Sequence, residues 1–112
     1  MFHLALASEW RAGWREGRYS PLAFTKDGFV HCSADEATAL KVAARHFAKA
    51  SEEVMVAEID EGALDAEVRR EDPAFPHVHG SIPAAAVVRI GPMRRDPSGA
   101  WSWPSEWAYG KP

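Results

Sequence analysis

The stretch that most limits what this chain can fold into is Gly28-Phe29-Val30-His31-Cys32-Ser33-Ala34-Asp35-Glu36. Phe29 to Cys32 read as a short buried strand, and Ser33-x-x-Glu36 reads as a capping box that opens a helix. Ala37, Leu40, Ala44, Phe47 and Ala48 then fall at the spacing of one buried helix face. A strand that runs directly into a helix N-terminus presents free backbone N–H groups and the positive end of the helix dipole. That junction suits a small anionic ligand.

Around this junction the pattern is mixed. Phe2 to Leu6 reads as a first strand. Ser8 then offers an N-cap, Trp10 and Trp14 sit four residues apart on one helix face, and Gly17 is the expected stop. Arg18 to Asp27 reads as a surface loop closed by a Lys26-Asp27-Gly28 turn. Val54 to Ile59 is nearly continuously apolar, as a central strand would be. Glu61 to Leu64 reads as a turn, Glu67 to Arg69 as a short edge strand, and Asp72 to Pro83 as a Pro-rich loop. Ala86 to Ile90 returns as a strand, and Asp96-Pro97-Ser98-Gly99 as a hairpin turn before Trp101 and Trp103. The fold class expected is α+β: a small, mixed, mainly antiparallel sheet with two helices. One domain over residues 1–112 is expected, with its core in about 1–95 and an aromatic hairpin and tail in 96–112.

Composition narrows the partners. A net charge of −3 with acids and bases interspersed argues against long nucleic acids, which need a basic face. No apolar run approaches the roughly 20 residues of a membrane span, and no basic leader precedes Phe2, so a cytoplasmic location is expected. A single cysteine excludes an internal disulfide and fits a reducing compartment. The tail from Trp101 to Tyr109 is the first candidate for an edge cover or a partner surface.

The candidate chemistry rests on histidines. His31 is either a ligand-facing residue at a strand end or a core histidine with satisfied nitrogens. Cys32 alternates with it, so in a regular strand it faces the other way, as a small buried hydrophobe rather than a nucleophile. Ser33 reads as a cap and also as a seat for a phosphate or ribose hydroxyl. His77 and His79, two apart, share a face if extended. With His31 or His3 they have the spacing of a weak metal motif, but no carboxylate follows closely and no metal is expected. Pro76 and Pro83 stiffen this segment.

These motifs resemble a known family. Phe2-His3-Leu4 with its following Ser8-Glu9-Trp10, then Gly28 to Ser33, then Phe75-Pro76-His77-Val78-His79-Gly80-Ser81-Ile82-Pro83 leading into Ala86-Val87-Val88, are similar to the small bacterial domain-of-unknown-function family 952. The resemblance runs to about Arg94, and His79 stands where that family carries Tyr. The family in turn looks like a compact member of the ADP-ribosyltransferase fold. That resemblance implies a cleft for NAD or another small nucleotide-like ligand. Phe2-His3 matches the aromatic-His pair that meets the nicotinamide ribose, and Val30 to Ser33 matches the second strand-to-helix motif. The third motif, here His77 to Val88, lacks the usual carboxylate, and Glu71 just upstream is the substitute considered.

On that resemblance His31, His77 and Glu71 are the candidate catalytic residues, and His3, Ser33, Tyr19 and Arg70 the candidate ligand-binding ones. His3 would bond a ribose hydroxyl or amide, Ser33 and its helix would receive a phosphate, and Tyr19, Arg69 or Arg70 would close over the ligand. The alternatives are a binding module without catalysis, RNA 2′-phosphotransferase-like chemistry, and a metal-dependent hydrolase built on the His-x-His pair.

Overall fold

The structure is a computed structural model that describes residues 1–110. In chain order its elements are β1 (Phe2–Leu6), α1 (Ala7–Ala12), β2 (Trp14–Arg15), β3 (Arg18–Tyr19), α2 (Phe24–Asp27), β4 (Val30–His31), α3 (Glu36–His46), β5 (Val54–Ile59), β6 (Val68–Arg69), β7 (His77–Val78), β8 (Ile82–Pro83), β9 (Val87–Pro92), β10 (Arg94–Arg95), β11 (Trp101–Ser102) and β12 (Ala108–Tyr109). Single 3₁₀ turns cover Glu61–Ala63 and Ala84–Ala86. The α+β class expected from the sequence holds, with three helices in place of two. The extra one, α2, is a single turn inside the stretch read as a loop.

A four-stranded antiparallel sheet, ordered β1-β5-β9-β12, carries the fold. β5 sits inside it as the apolar run Val54-Met55-Val56-Ala57 predicts, with Val54, Val56, Ala57 and Ile59 buried. Full burial of a valine or isoleucine side chain contributes roughly 1.5–3 kcal/mol, so this strand anchors both layers of core. On one side Ala57 and Ile59 join Trp10, Tyr19, Val30, Val78, Ile82 and Ile90. On the other, Leu4, Val54, Val56 and Met93 pack under Ala43 of α3, with Trp101, Trp103 and Trp107 at the margin. β12 pairs with β9, so the aromatic tail covers a sheet edge. Gly91 permits its approach: a Cβ there would meet Glu106 O at 2.7 Å and Pro104 Cβ at 2.9 Å. Lys111 and Pro112, the end of the expected tail, lie outside the described residues.

Two three-stranded sheets flank this frame, β2-β3-β8 and β4-β7-β6. The first begins with a two-residue hairpin loop, Glu16-Gly17, in which both residues have positive φ, 52° and 78°. That geometry matches the twist of the strands it joins. Gly17 is therefore a turn residue and not the stop of α1, which ends at Gly13. Trp14 leaves the helix for β2 yet still meets Trp10 edge-to-face at 5.3 Å. Ser8 is not the cap of α1 either; its N–H and hydroxyl donate to the Glu52 carboxylate at 2.8 and 2.9 Å.

α3 also differs in register. Its cap is Asp35, whose Oδ1 accepts from Thr38 N at 2.8 Å, so the helix begins two residues later than the Ser33 box implies. Ser33 is held instead in extended backbone by reciprocal bonds to Phe2, at 2.9 and 2.7 Å. The buried face is consequently Ala39 and Ala43, flanked by Leu40, Val42 and Phe47, while Ala37, Ala44 and Ala48 are exposed.

Candidate functional site

The site grows from one short antiparallel pair. β4 and β7 align Val30 with Val78 and His31 with His77. Strand alternation sends the two valines, both fully buried, into the core and both imidazoles to the other side. Their ring centroids are 5.3 Å apart. Phe29 lies flat against His77, 4.0 Å between centroids at 13°, and contacts His31 at 4.7 Å and His79 at 5.3 Å.

A carboxylate orients His31. Asp27, the last residue of α2, accepts from His31 Nε2 at 2.9 Å through Oδ2. The turn between them needs Gly28 in the left-handed region, φ 79°, where it caps α2 by donating to Phe24 O. In the neutral tautomer that donates Nε2–H to Asp27, Nδ1 of His31 carries a lone pair, the arrangement of an oriented general base. His77 is held below its ordinary pKa, first by burial and then by the neighbouring His31 and His79, which favours its neutral form.

Both histidines open onto a cleft of about 650 Å³. His3 and Ser33 line it too, so four of the residues chosen from sequence converge on one cavity. Their roles differ from those expected. His3 is buried, with Nδ1 2.7 Å from His31 O and Nε2 3.0 Å from the Tyr19 hydroxyl. Nδ1–H donates to the carbonyl, and the tyrosine donates to Nε2. Neither nitrogen is left for a ribose or amide. Burial, partly offset by the bond to His31 O, pushes His3 down from 6.5 to about 4. His3 is a neutral brace between β1, β3 and β4. At Ser33 the backbone N–H is taken by Phe2 O, and at Ala34 by Ala74 O, so these amides do not offer a phosphate seat.

Tyr19 is not a lid. It is fully buried, packed on Trp10 at 4.5 Å and Trp14 at 5.7 Å, and bonded to His3. Arg70 lies outside the cleft and is held by Glu61, and Arg69 pairs with Glu67. Glu71 is exposed and does not line the cavity either; its neighbour Asp72 does. Cys32 faces the core side, its thiol pushed up to about 12 by burial, which leaves it protonated and unreactive. Among the described residues no group of three or more His, Cys, Asp or Glu side chains is placed to hold a metal ion.

The sequence reading missed Asp27, Arg45, His46 and Asp72. Asp27 had its only signal in the i, i+4 spacing to His31. Arg45 and His46, in the last turn of α3, look from sequence like ordinary partners of a helix dipole.

The profile of the family described as "Protein of unknown function (DUF952)" matches residues 4–90. The chain belongs to this family. It is similar in structure to protein CC0527 from Caulobacter crescentus, at 22% identity, covering 90% of this chain and 91% of that chain with a TM-score of 0.74. A double mutant of CC0527 aligns at 24% identity over the same shares, with a TM-score of 0.65. At such identities the likeness establishes a shared fold. No curated protein matches the chain. Within the DUF952 match lie β4, β7 and every histidine of the cleft except His3.

Proposed function

We propose that this DUF952 domain binds a small nucleotide-type ligand of the NAD or ADP-ribose class in the His-lined cleft, and that His31 and His77 exchange protons with it. The observation that carries the reading is the Asp27–His31–His77 arrangement. One imidazole is oriented by a carboxylate, a second is held toward its neutral form, and both open onto a cavity of small-ligand size. Two imidazoles side by side, one of them oriented, suit a reaction in which His31 takes a proton from a nucleophile and the imidazolium so formed returns it to the leaving group. The cleft also offers aromatic faces for a base at Phe47 and Phe75. The choice of ligand class rests on the resemblance of the chain's motifs to the ADP-ribosyltransferase fold, an expectation from the sequence.

The reaction class that fits is transfer or hydrolysis at a glycosidic or phosphoryl centre. A cationic glycosyl transition state is stabilised by a placed carboxylate. In this cleft that group is Asp72 or Glu9, since Glu71 stands outside it. Both carboxylates already accept a backbone N–H, from Ala74 and Leu22 respectively. That observation favours a second reading, a binding module that holds the same ligand without turnover.

Titrating NAD, ADP-ribose and AMP separately into the protein, followed by backbone-amide NMR, tests the first reading. Saturable shifts confined to His31, Ser33, His77 and their neighbours are expected for at least one of them. No shift with any of the three at millimolar concentration would overturn the ligand class. Turnover of a bound ligand that His31→Ala abolishes would separate the enzyme from the module.

A further inference from the structure

The Ser33 and Ala34 amides ahead of α3 are taken up by protein bonds, while the other end of the helix opens onto the same cleft. Val42, Arg45, His46 and Phe47 line it there, and His31 and Ser33 line it at the start. Eleven residues at a rise of about 1.5 Å make α3 roughly 16 Å long, so lining residues before its first turn and in its last turn stand well apart along its axis.

Most of the arginines are committed. Arg18, Arg69, Arg70 and Arg89 are each paired with a carboxylate. Arg94 and Arg95 donate to backbone carbonyls of Trp103, Ala48 and Ala50. The two carboxylates of the cleft, Glu9 and Asp72, have backbone donors. Arg45 and Arg11 have neither hydrogen bond nor ion pair among the described residues, and of the two only Arg45 lines the cleft, beside His46. The helix dipole accounts for a cation in the last turn. It does not account for a guanidinium without partners on the wall of a histidine-lined cleft, where five N–H donors match a phosphate's oxygens.

We infer that Arg45, with His46 beside it, is the anion anchor of the cleft and takes a phosphate of an elongated ligand whose opposite end lies against His31 and His77. The inference rests on the cleft reading above and adds the ligand's character: phosphorylated, and long enough to span α3. A short monophosphate reaches one end or the other; a diphosphate-linked ligand reaches both.

Inorganic pyrophosphate, titrated while the Arg45 Nε–Hε and His46 amide signals are followed by NMR, tests the anchor without the nucleotide. Saturable shifts at both are expected, the His46 shift being lost in Arg45→Ala and partly kept in Arg45→Lys, and both being unchanged in Arg11→Ala, a control outside the cleft. Unmoved Arg45 signals, or equal binding by Arg45→Ala, would overturn the anchor. With ADP-ribose, Arg45→Ala should weaken affinity about tenfold while the His77 shift at saturation persists. Equal affinity in that variant would discard the anchor and leave the nucleotide reading standing. Pyrophosphate binding at Arg45 with no ADP-ribose binding anywhere would do the reverse.

Discussion

The central sheet and the β4–β7 pair are built from the same strand physics and put to opposite uses. β5 has six residues, neighbours on both sides, and four buried side chains. β4 and β7 have two residues each. One residue of each, Val30 and Val78, is given to the core, and the other, His31 and His77, to the cleft. In the first region every side chain that matters removes apolar area from water. In the second, the valines fix the strands so that polar groups are presented in a set geometry. Holding a site at the rim of a rigid scaffold separates stability from chemistry, and the separation can be probed residue by residue.

The largest effect should come from the core. Ile82→Ala removes a fully buried side chain from the cluster around Tyr19 and Val30, and a loss of about 2–5 kcal/mol is expected in urea unfolding. If that variant unfolds like the parent, the assignment of the core is wrong.

His3 belongs with the core in this comparison, although it lines the cleft. Its folded pKa lies below the unfolded value, so between about 4 and 6.5 the unfolded chain binds more protons than the folded one. Stability should be complete above about pH 6.5 and decline as pH falls toward 4, by on the order of 3 kcal/mol from this group. Thermal unfolding across that window should show the slope in the parent and a shallower one in His3→Gln. An identical slope in both would assign it to other groups.

Tyr19→Phe should follow, destabilising by about 1–3 kcal/mol because His3 Nε2 is left buried without its donor. A neutral result would mean that the ring packing, and not the hydroxyl, holds the brace. The smallest effect on stability is expected for Asp27→Asn, within about 1 kcal/mol, since its partner His31 is more than half exposed. Its ligand affinity should nevertheless drop about tenfold, because the imidazole is no longer held by a charged acceptor.

The sequence was most informative where burial is two-sided or alternation strict. Val54 to Ile59 could hardly be anything but a central strand, and the opposition of His31 to Cys32 followed from their adjacency. It was least informative along α3. Ala37, Ala39, Ala43, Ala44 and Ala48 differ little in hydrophobicity, so the buried face is decided by how closely the helix approaches β1 and not by composition. Ser33 and Asp35 are both competent caps. Tertiary pairing of Ser33 with Phe2 gives the role to Asp35, and a long-range bond of that kind leaves no local trace. The gathering of His3, His31, Ser33 and His77 was legible through the resemblance of their motifs to a known family. The contribution of Asp27 and Arg45 was not, because each has an ordinary local role as a turn residue or a helix-end cation.

The comparison between scaffold and site comes down to His31. The first measurement is a paired one on His31→Ala: urea unfolding, and ADP-ribose affinity by NMR on the same preparation. Stability within about 1 kcal/mol of the parent, together with at least tenfold weaker binding, is the expected result. A loss of several kcal/mol with unchanged ligand affinity would make His31 a structural residue and contradict the assignment of the cleft.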